Sequence, residues 1–508
     1  MRIAADLLSI RPDGSAGGAT GFSIELLKGI AAQDQTDLIV LCAEWNYDYL
    51  KKQFPHKIEL LQMMGEKRII GIKKIDHILN RFFYRVDRHH VLQEKNIDIL
   101  YCPFSAPTFK TKGIPTVSTI LDIQHEYYPH FFEPSELEHR RKFYGDIVKK
   151  VEYVACISDY TRDTFCEKYG YPKERAETIY IAVQNRFSDK DSTILDRLGL
   201  EAQKYVIFPA NFWEHKNHKL LINSYGIYAC LHKENALKLV LTGNPLEKSD
   251  YFHKMIQTMG LDNRIVITGY LTNAELYGIL DGAKGLIYPS LFEGFGIPVV
   301  EAMYLNKLIA CSNLTSLPEI GCDAIHYFNP KKPDEIVEAF EYLHNSVMKE
   351  EISSEYKKRL EIYQTDKMVK AYIALFKKTI ANKDDLLFEE GVNGIWPDGW
   401  SGGEVEVYLA QRKGMMLTLK AQNPEFTSIN QELSFIQNGV EKKYTINKGE
   451  TIDIEEPITE DHTEIILRIQ KTWSPKEVLK SEDDRQLGIM IDKLLLAGEQ
   501  EIDLKGMV

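Results

Sequence analysis

The chain has 508 residues, 44% of them hydrophobic, and carries a formal net charge of −12. That length is too great for one domain and points to about three, while the acidic balance argues against nucleic acid as the main partner. No run of about 18 apolar residues occurs, and Met1-Arg-Ile-Ala-Ala opens as a strand rather than a signal peptide, so the sequence reads as cytoplasmic and without a membrane span.

Taken in chain order, the first 190 residues alternate short apolar runs with helical patterns. The opening strand is followed by Ser15-Ala-Gly17-Gly18-Ala-Thr20-Gly21 and a helix expected over Phe22 to Gln33. Further strands are expected at Leu38–Ala43, Ile97–Cys102, Thr116–Leu121 and Tyr153–Ser158. Apolar strands alternating with helices predict a parallel sheet covered on both faces. The pattern restarts near Lys204, after a join around Ile181 to Ser192. Five more strands are expected at Tyr205–Pro209, Lys238–Gly243, Arg264–Gly269, Gly285–Pro289 and Lys307–Cys311. Residues 355–381 read as one long helix or two. The seven cysteines form no CxxC pair, which suits a reducing compartment in which most act as small core hydrophobes.

Beyond Asp385 the texture changes. Residues 385–508 hold 13 Lys+Arg against 24 Asp+Glu, a balance of −11 that leaves −1 for residues 1–384. Strands are expected at Val405–Leu409, Met416–Lys420, Leu433–Ile436, Thr451–Glu455 and Ile465–Ile469, separated by turns such as Asn438-Gly439 and Lys448-Gly449. Short, partly alternating strands of this kind predict an antiparallel sandwich or jelly roll. Three of the five tryptophans, Trp396, Trp400 and Trp473, fall in this region. They serve either as core residues or as rings that stack on glycans. The domain boundaries expected are 1–190, 191–382 and 385–508, with the last helix of the second domain able to cross back to the first.

The most informative string is Pro289-Ser-Leu-Phe-Glu293-Gly-Phe-Gly-Ile-Pro-Val-Val-Glu301. A strand ends at Tyr288, a loop with two glycines follows, and Pro298 suits a first helical turn. Glycines let backbone amides approach a ligand, and the helix N-terminus behind them favours a diphosphate. Glu293 in the loop and Glu301 on the helix can accept hydrogen bonds from the diols of a sugar and a ribose.

This string resembles the donor-site motif of the family 4 retaining glycosyltransferases, whose fold is GT-B, and the resemblance extends over roughly residues 1–380. It implies two Rossmann-like domains facing a cleft, to which the chain adds the C-terminal β-domain. It places Gly294, Phe295, Gly296 and Glu301 at a nucleotide-sugar donor. It also assigns the donor diphosphate to Lys216, with His215 beside it, in Phe208-Pro-Ala-Asn-Phe-Trp-Glu-His-Lys216-Asn-His218. A basic residue common in the family five positions before the lysine is Asn211 here. Gly269-Tyr270-Leu271 resembles the nucleotide-base loop, Leu317-Pro318-Glu319 a further donor-side loop, and Gly17-Gly18 the paired glycine that touches the diphosphate from the first domain. Leu121-Asp122-Ile-Gln-His125 resembles the mannosyltransferase-like subgroup. Asp122 and His125 then bond sugar hydroxyls or the acceptor, or His125 is a structural histidine. Ser158-Asp-Tyr-Thr161 reads first as a helix N-cap.

The family reading implies transfer of a hexose, with mannose from GDP-mannose the first expectation, to a glycan or lipid-linked acceptor in cell-surface polysaccharide synthesis. Glu293, Asp122 and His125 are the catalytic candidates, without Glu293 acting as a nucleophile. No cofactor is implied, and no metal is expected because basic residues stand where an acidic cluster would hold an ion. Residues 51–92 carry ten Lys+Arg against four Asp+Glu with apolar residues interleaved. Such a stretch docks on anionic lipid at the inner face of the membrane, or is a solvated helix face. The competing readings are another GT-B enzyme, such as a nucleotide-sugar epimerase or a phosphorylase, and a glycan-binding protein on a relict transferase scaffold. The sequence does not give the oligomeric state.

Overall fold

Strands that are apolar at every position require cover on both faces. The computed structural model provides it twice within one compact unit, Met1–Leu386, which precedes a second unit, Leu387–Val508. The structure describes residues 1–11, 18–55, 58–64, 91–111, 113–183, 187, 189–243, 249–382, 391–396, 398–410, 412–427, 430–460, 462–480, 483, 485–497 and 501–503.

The first sheet is parallel and seven-stranded. Its strands are β1 (Arg2–Asp6), β2 (Asp37–Ala43), β3 (Glu59–Met64), β4 (Ile99–Cys102), β5 (Thr116–Ile120), β6 (Tyr153–Cys156) and β7 (Ala176–Thr178), in the order 3-2-1-4-5-6-7. The second sheet has β8 (Tyr205–Pro209), β9 (Lys238–Thr242), β10 (Ile265–Ile267), β11 (Gly285–Tyr288), β12 (Leu308–Ser312) and β13 (His326–Phe328), in the order 10-9-8-11-12-13. In each sheet the strand order reverses beside the first strand, between β1 and β4 and between β8 and β11. Open parallel sheets bind ligands above such a reversal.

Among the described helices, those of eight residues or more are α1 (Gly18–Ala31), α2 (Glu44–Gln53), α3 (Pro134–Lys150), α4 (Asp159–Tyr169), α5 (His218–His232), α6 (Ser249–Thr258), α7 (Asn273–Gly282), α8 (Ile297–Tyr304), α9 (Pro333–Asn345), α10 (Glu350–Leu360) and α11 (Thr365–Ala381). The helical stretch expected over 355–381 is two helices. They are separated by a turn in which Tyr363 is buried and its hydroxyl donates to Ile320 O at 2.7 Å. That turn redirects α11, which packs on α1 and joins the core of the first sheet through Met368, Val369, Tyr372, Leu375 and Phe376. Gly29 permits the approach, since a Cβ there would stand 2.5 Å from Val369 Cγ2.

The second unit is antiparallel. One sheet runs β14 (Gly391–Ile395), β15 (Ser401–Ala410), β20 (His462–Ile469), β17 (Gln431–Gln437), β18 (Val440–Ile446). The other runs β19 (Thr451–Pro457), β16 (Met416–Gln422), β21 (Met490–Ala497), β22 (Glu501–Asp503). Both sheets contribute to one core, with Val405, Val407 and Leu409 from the first and Leu417, Leu419 and Ala421 from the second. The pattern BiBiB in the middle of β16 follows from period-two alternation, one face inward. Asn438 and Gly439 both have positive φ, 47° and 83°, and close the β17–β18 hairpin as a two-residue turn.

Candidate functional site

The second sheet builds the site. Because β8 and β11 are neighbours in register, the loops that leave their C-terminal ends emerge side by side. One carries Lys216 on a short 3-10 turn, Glu214–Lys216, and the other carries Glu293. Lys216 Nζ donates to Glu293 Oε1 at 2.5 Å, and the two side chains are each 11% exposed. Tyr288, the last residue of β11, completes the cluster. Its hydroxyl accepts from Lys216 Nζ at 3.3 Å and donates to Glu293 Oε1 at 3.0 Å. Burial alone would push the Glu293 carboxyl upward. The adjacent Lys216 ammonium and its hydrogen bond more than offset that and hold it below the usual carboxylate range. His215 is half-buried and neutral. Burial, reinforced by Lys216, pushes its imidazole down to about 3, so it offers hydrogen bonding rather than positive charge.

The loop behind Glu293 is fixed by backbone bonds that the motif does not announce. Thr315 Oγ1 accepts from Glu293 N at 3.1 Å, and Ser316 Oγ donates to the carbonyls of Glu293 and Phe295 at 2.9 and 3.0 Å. Gly296 has φ 111° at the N-cap of α8, a conformation that favours glycine, and a Cβ there would lie 2.6 Å from Leu317 Cδ2. Glu301 is 1% exposed on α8.

Glycine 294 brings the first sheet's loops onto this one. A Cβ on Gly294 would stand 1.9 Å from Leu121 O and 3.1 Å from Asp122 Cβ, so only glycine lets the two segments cross. Gly294 O accepts hydrogen bonds from Ser158 Oγ at 2.7 Å and Thr161 Oγ1 at 3.2 Å. Ser158 is the N-cap of α4, where its Oγ accepts from Thr161 N at 3.0 Å. Glu319, which follows β12 of the second sheet, adds a further cap, its two carboxylate oxygens accepting from Asp159 N at 2.6 Å and Tyr160 N at 2.9 Å. Gly18 opens α1 against α8, with a Cβ position 2.8 Å from Ile297 Cδ1. Gly17 lies outside the described residues.

Asp122 therefore sits above the Gly294 loop, with Glu293 and Lys216 close enough to act on it electrostatically. Burial raises its carboxyl above the usual range, and the hydrogen bond from Gln124 N to its Oδ1 at 3.0 Å partly counters that. His125 lies elsewhere. It is fully buried, stacked on Tyr144 with centroids 5.0 Å apart, and its Nε2 is 2.8 Å from Tyr169 OH. Burial lowers its pKa to about 4, so it is neutral and supports the Asp122 loop from behind.

The remaining expected donor residues divide. Phe295 is 3% exposed and turns away from the loop surface into the first sheet's core, 5.5 Å from Tyr363. Gly269 has φ 71°, Tyr270 is 79% exposed, and Leu271 packs on the second sheet's core. Beside Lys216 a cavity is lined by Phe131, which precedes α3, and by Trp213, Glu214, Asn217, Asn223 and Leu291 around the second sheet. The basic stretch 51–92 lies mostly outside the described residues. Tyr288 was not singled out from sequence. Its position as the last strand residue before the Glu293 loop was the available signal, and the same holds less clearly for Thr315 and Ser316. Among the described residues no group of three His, Cys, Asp or Glu is placed to hold a metal ion. No described helix is long and apolar enough to cross a membrane.

Residues 191–360 match the family described as glycosyl transferases group 1, and residues 16–185 match glycosyltransferase family 4. The O-antigen chain mannosyltransferase B of Escherichia coli is 25% identical over 226 residues, 43% of this chain and 58% of that protein. The O-antigen chain mannosyltransferase RfbU of Salmonella typhimurium is 24% identical over 212 residues, 42% of this chain and 56% of that protein. The chain thus matches little more than half the length of these curated relatives. In fold it is similar to Anabaena Alr3699/HepE solved with UDP and glucose, with a TM-score of 0.56 at 16% identity, over 74% of this chain and 100% of that one. The sucrose-phosphate synthase of Thermosynechococcus elongatus gives 0.56 at 13% identity, over 75% and 99%.

Proposed function

We propose, from the premise that this chain belongs to the GT-B glycosyltransferases that pair a family 4 domain with a group 1 domain, that it transfers a hexose from a nucleotide-sugar to a glycan or lipid-linked acceptor. The observation that most supports this reading is the Lys216–Glu293 pair at the strand-order reversal, beneath a glycine loop that leads into α8.

In the free protein Glu293 occupies the ammonium of Lys216. A donor diphosphate, which carries more charge, replaces it there and gains the N-terminal amides of α8. The freed, ionised Glu293 then accepts hydrogen bonds from the sugar. Departure of the nucleotide diphosphate builds negative charge on the leaving oxygen, which Lys216 and those amides stabilise, while the sugar becomes oxocarbenium-like. His215 contributes a neutral donor. Asp122 faces the sugar from the first domain, and His125 is a positioning residue for its loop. The acceptor enters over Phe131 and Trp213, with the departing phosphate as the base for its hydroxyl and with retention at the anomeric carbon. Mannose from GDP-mannose is the first donor in view of the O-antigen mannosyltransferase relatives. The reaction is taken to be metal-independent. Lipid-linked acceptors give residues 51–92 the role of a contact with an anionic membrane surface at its cytoplasmic face, and flotation with anionic liposomes at low salt tests it.

The function is tested by release of free nucleotide from GDP-mannose and from UDP- and GDP-hexoses generally. Turnover of at least one donor is expected, unchanged by EDTA and reduced about 10²–10³-fold in Lys216→Ala. Inertness toward all of them would sink the proposal, and loss of turnover with chelator would sink its metal-free part.

A further inference from the structure

The largest rings of the second unit lie outside the cluster that fills its sandwich, although Trp473 is itself buried. Trp400, Phe426 and Trp473 are absent from the cluster that fills the sandwich. They meet one another at one end of it instead. Trp400 and Trp473 lie 5.0 Å apart at 77°, Phe426 and Trp473 5.2 Å apart at 72°. They come from three different connections, β14–β15, β16–β17 and β20–β21. Phe426 is 45% exposed, and Trp396, on the same turn as Trp400, is 42% exposed. Surface aromatics grouped on the loops of a sandwich are a recurrent position for binding.

The exposed Trp396 ring is braced. Arg485 lies over it at 5.2 Å and is itself held by Asp398 Oδ2 at 2.7 Å and by both carboxylate oxygens of Asp483. Trp396 N donates to Trp400 O at 2.7 Å, which fixes the turn. A guanidinium shared between two carboxylates orders the ring but leaves no net positive charge for an anion. The whole region from 385 is also acidic, at −11, so it repels an anionic polymer. Flat apolar faces edged by hydrogen-bonding groups that carry no net positive charge fit the C–H face and hydroxyl rim of a neutral pyranose.

The geometry points to a glycan-binding platform on the C-terminal sandwich, formed by Trp396 and Phe426 and specific for neutral hexose chains. It is separate from the Lys216–Glu293 site and does not depend on the transfer reaction proposed for it.

The test is intrinsic tryptophan fluorescence of the full-length protein titrated with mannotetraose, maltotetraose and, as the anionic control, tetragalacturonate. Saturable binding of at least one neutral oligosaccharide is expected, at least tenfold weaker in Trp396→Ala and in Phe426→Ala. The uronate should bind at least tenfold more weakly than the neutral chain. Neither side chain belongs to the cluster that fills the sandwich, so the variants should remain folded and release nucleotide from donor sugar at the wild-type rate. Absence of neutral-oligosaccharide binding, or binding that survives both substitutions, overturns the platform. So does a change in sedimentation coefficient without one in sugar binding, which makes the face a subunit contact. Loss of donor turnover with sugar binding intact would count only against the transfer reaction.

Discussion

Replacing Lys216 by Met keeps the aliphatic stem and removes the charge that faces Glu293. The pair is 2.5 Å apart with each side chain 11% exposed. At that distance the Coulomb attraction is about 7 kcal/mol for an effective dielectric of about 20. Desolvation of the ammonium offsets much of it, and removing one partner of a buried pair costs about 3–5 kcal/mol in measured cases. The residual exposure argues for the lower end, a loss of about 3 kcal/mol at pH 7.5, or roughly 6–12 °C in Tm at about 2–4 °C per kcal/mol. Lys216→Met combined with Glu293→Gln should regain most of it, because no uncompensated carboxylate is then buried. The pH dependence has a definite sign. In the wild type Glu293 sits below its unfolded pKa, so its contribution is complete above about pH 4.3 and fades only in stronger acid. In Lys216→Met the main offset to burial is gone and only weaker ones such as the Tyr288 hydrogen bond remain, so the folded pKa should rise above the unfolded one, and the penalty exists at neutral pH and disappears as Glu293 protonates. Urea unfolding of the three proteins at pH 7.5 and pH 5 measures both effects. Equal stabilities at pH 7.5, or a deficit no smaller at pH 5, would refute the reasoning.

Gly294→Ala should lower donor turnover at least tenfold and stability by about 1–3 kcal/mol, since the added Cβ meets the Leu121 carbonyl at 1.9 Å, backbone against backbone; steady-state kinetics with thermal unfolding decide it, and a neutral variant would mean that the loops do not cross as described. Glu319→Ala should cost about 0.5–2 kcal/mol by orphaning the first amides of α4, with Glu319→Gln recovering part of it. A kcat effect exceeding the change in donor affinity would separate domain positioning from simple destabilisation. His218→Phe should flatten the acid limb of stability. Burial holds His218 down at about 3, so the neutral folded form is favoured above the unfolded pKa of about 6.5 and stability is lost as pH falls below it. Asp6, raised to about 6 by burial, works in the opposite direction between about pH 4 and 6 but is common to both proteins and cancels in the comparison. Phe matches the ring stacked on Phe212 at 4.0 Å, so the variant should lose less stability than the wild type between pH 7.5 and 5.

Much of this molecule is local in origin. Apolar runs such as Leu38–Ala43 and Tyr205–Pro209 can form only doubly covered strands, and the alternation in Met416–Lys420 can form only a half-covered one, so two parallel sheets and an antiparallel sandwich were legible. So were the N-cap at Ser158, the Asn438-Gly439 turn and the strand–loop–helix of Glu293 to Glu301, because each depends on the conformational preferences of neighbouring residues. The strands β3, β7 and β13 were not legible, since Glu59–Met64, Ala176–Thr178 and His326–Phe328 are short and polar in part, and their pairing comes from the sheet edge they join. What only the tertiary structure decided is which distant groups meet. Lys216 reaches Glu293 because β8 and β11 are adjacent where the strand order reverses, a fact of topology that no window of sequence contains. Glu319 caps α4 from 160 residues away in sequence, Phe295 plugs the core of the first sheet, and His125 stands behind the Asp122 loop. Hydropathy and propensity act over a few residues, whereas these contacts are set by how whole sheets pack. The residue types were therefore readable in the sequence, while their partners and protonation states came from the fold.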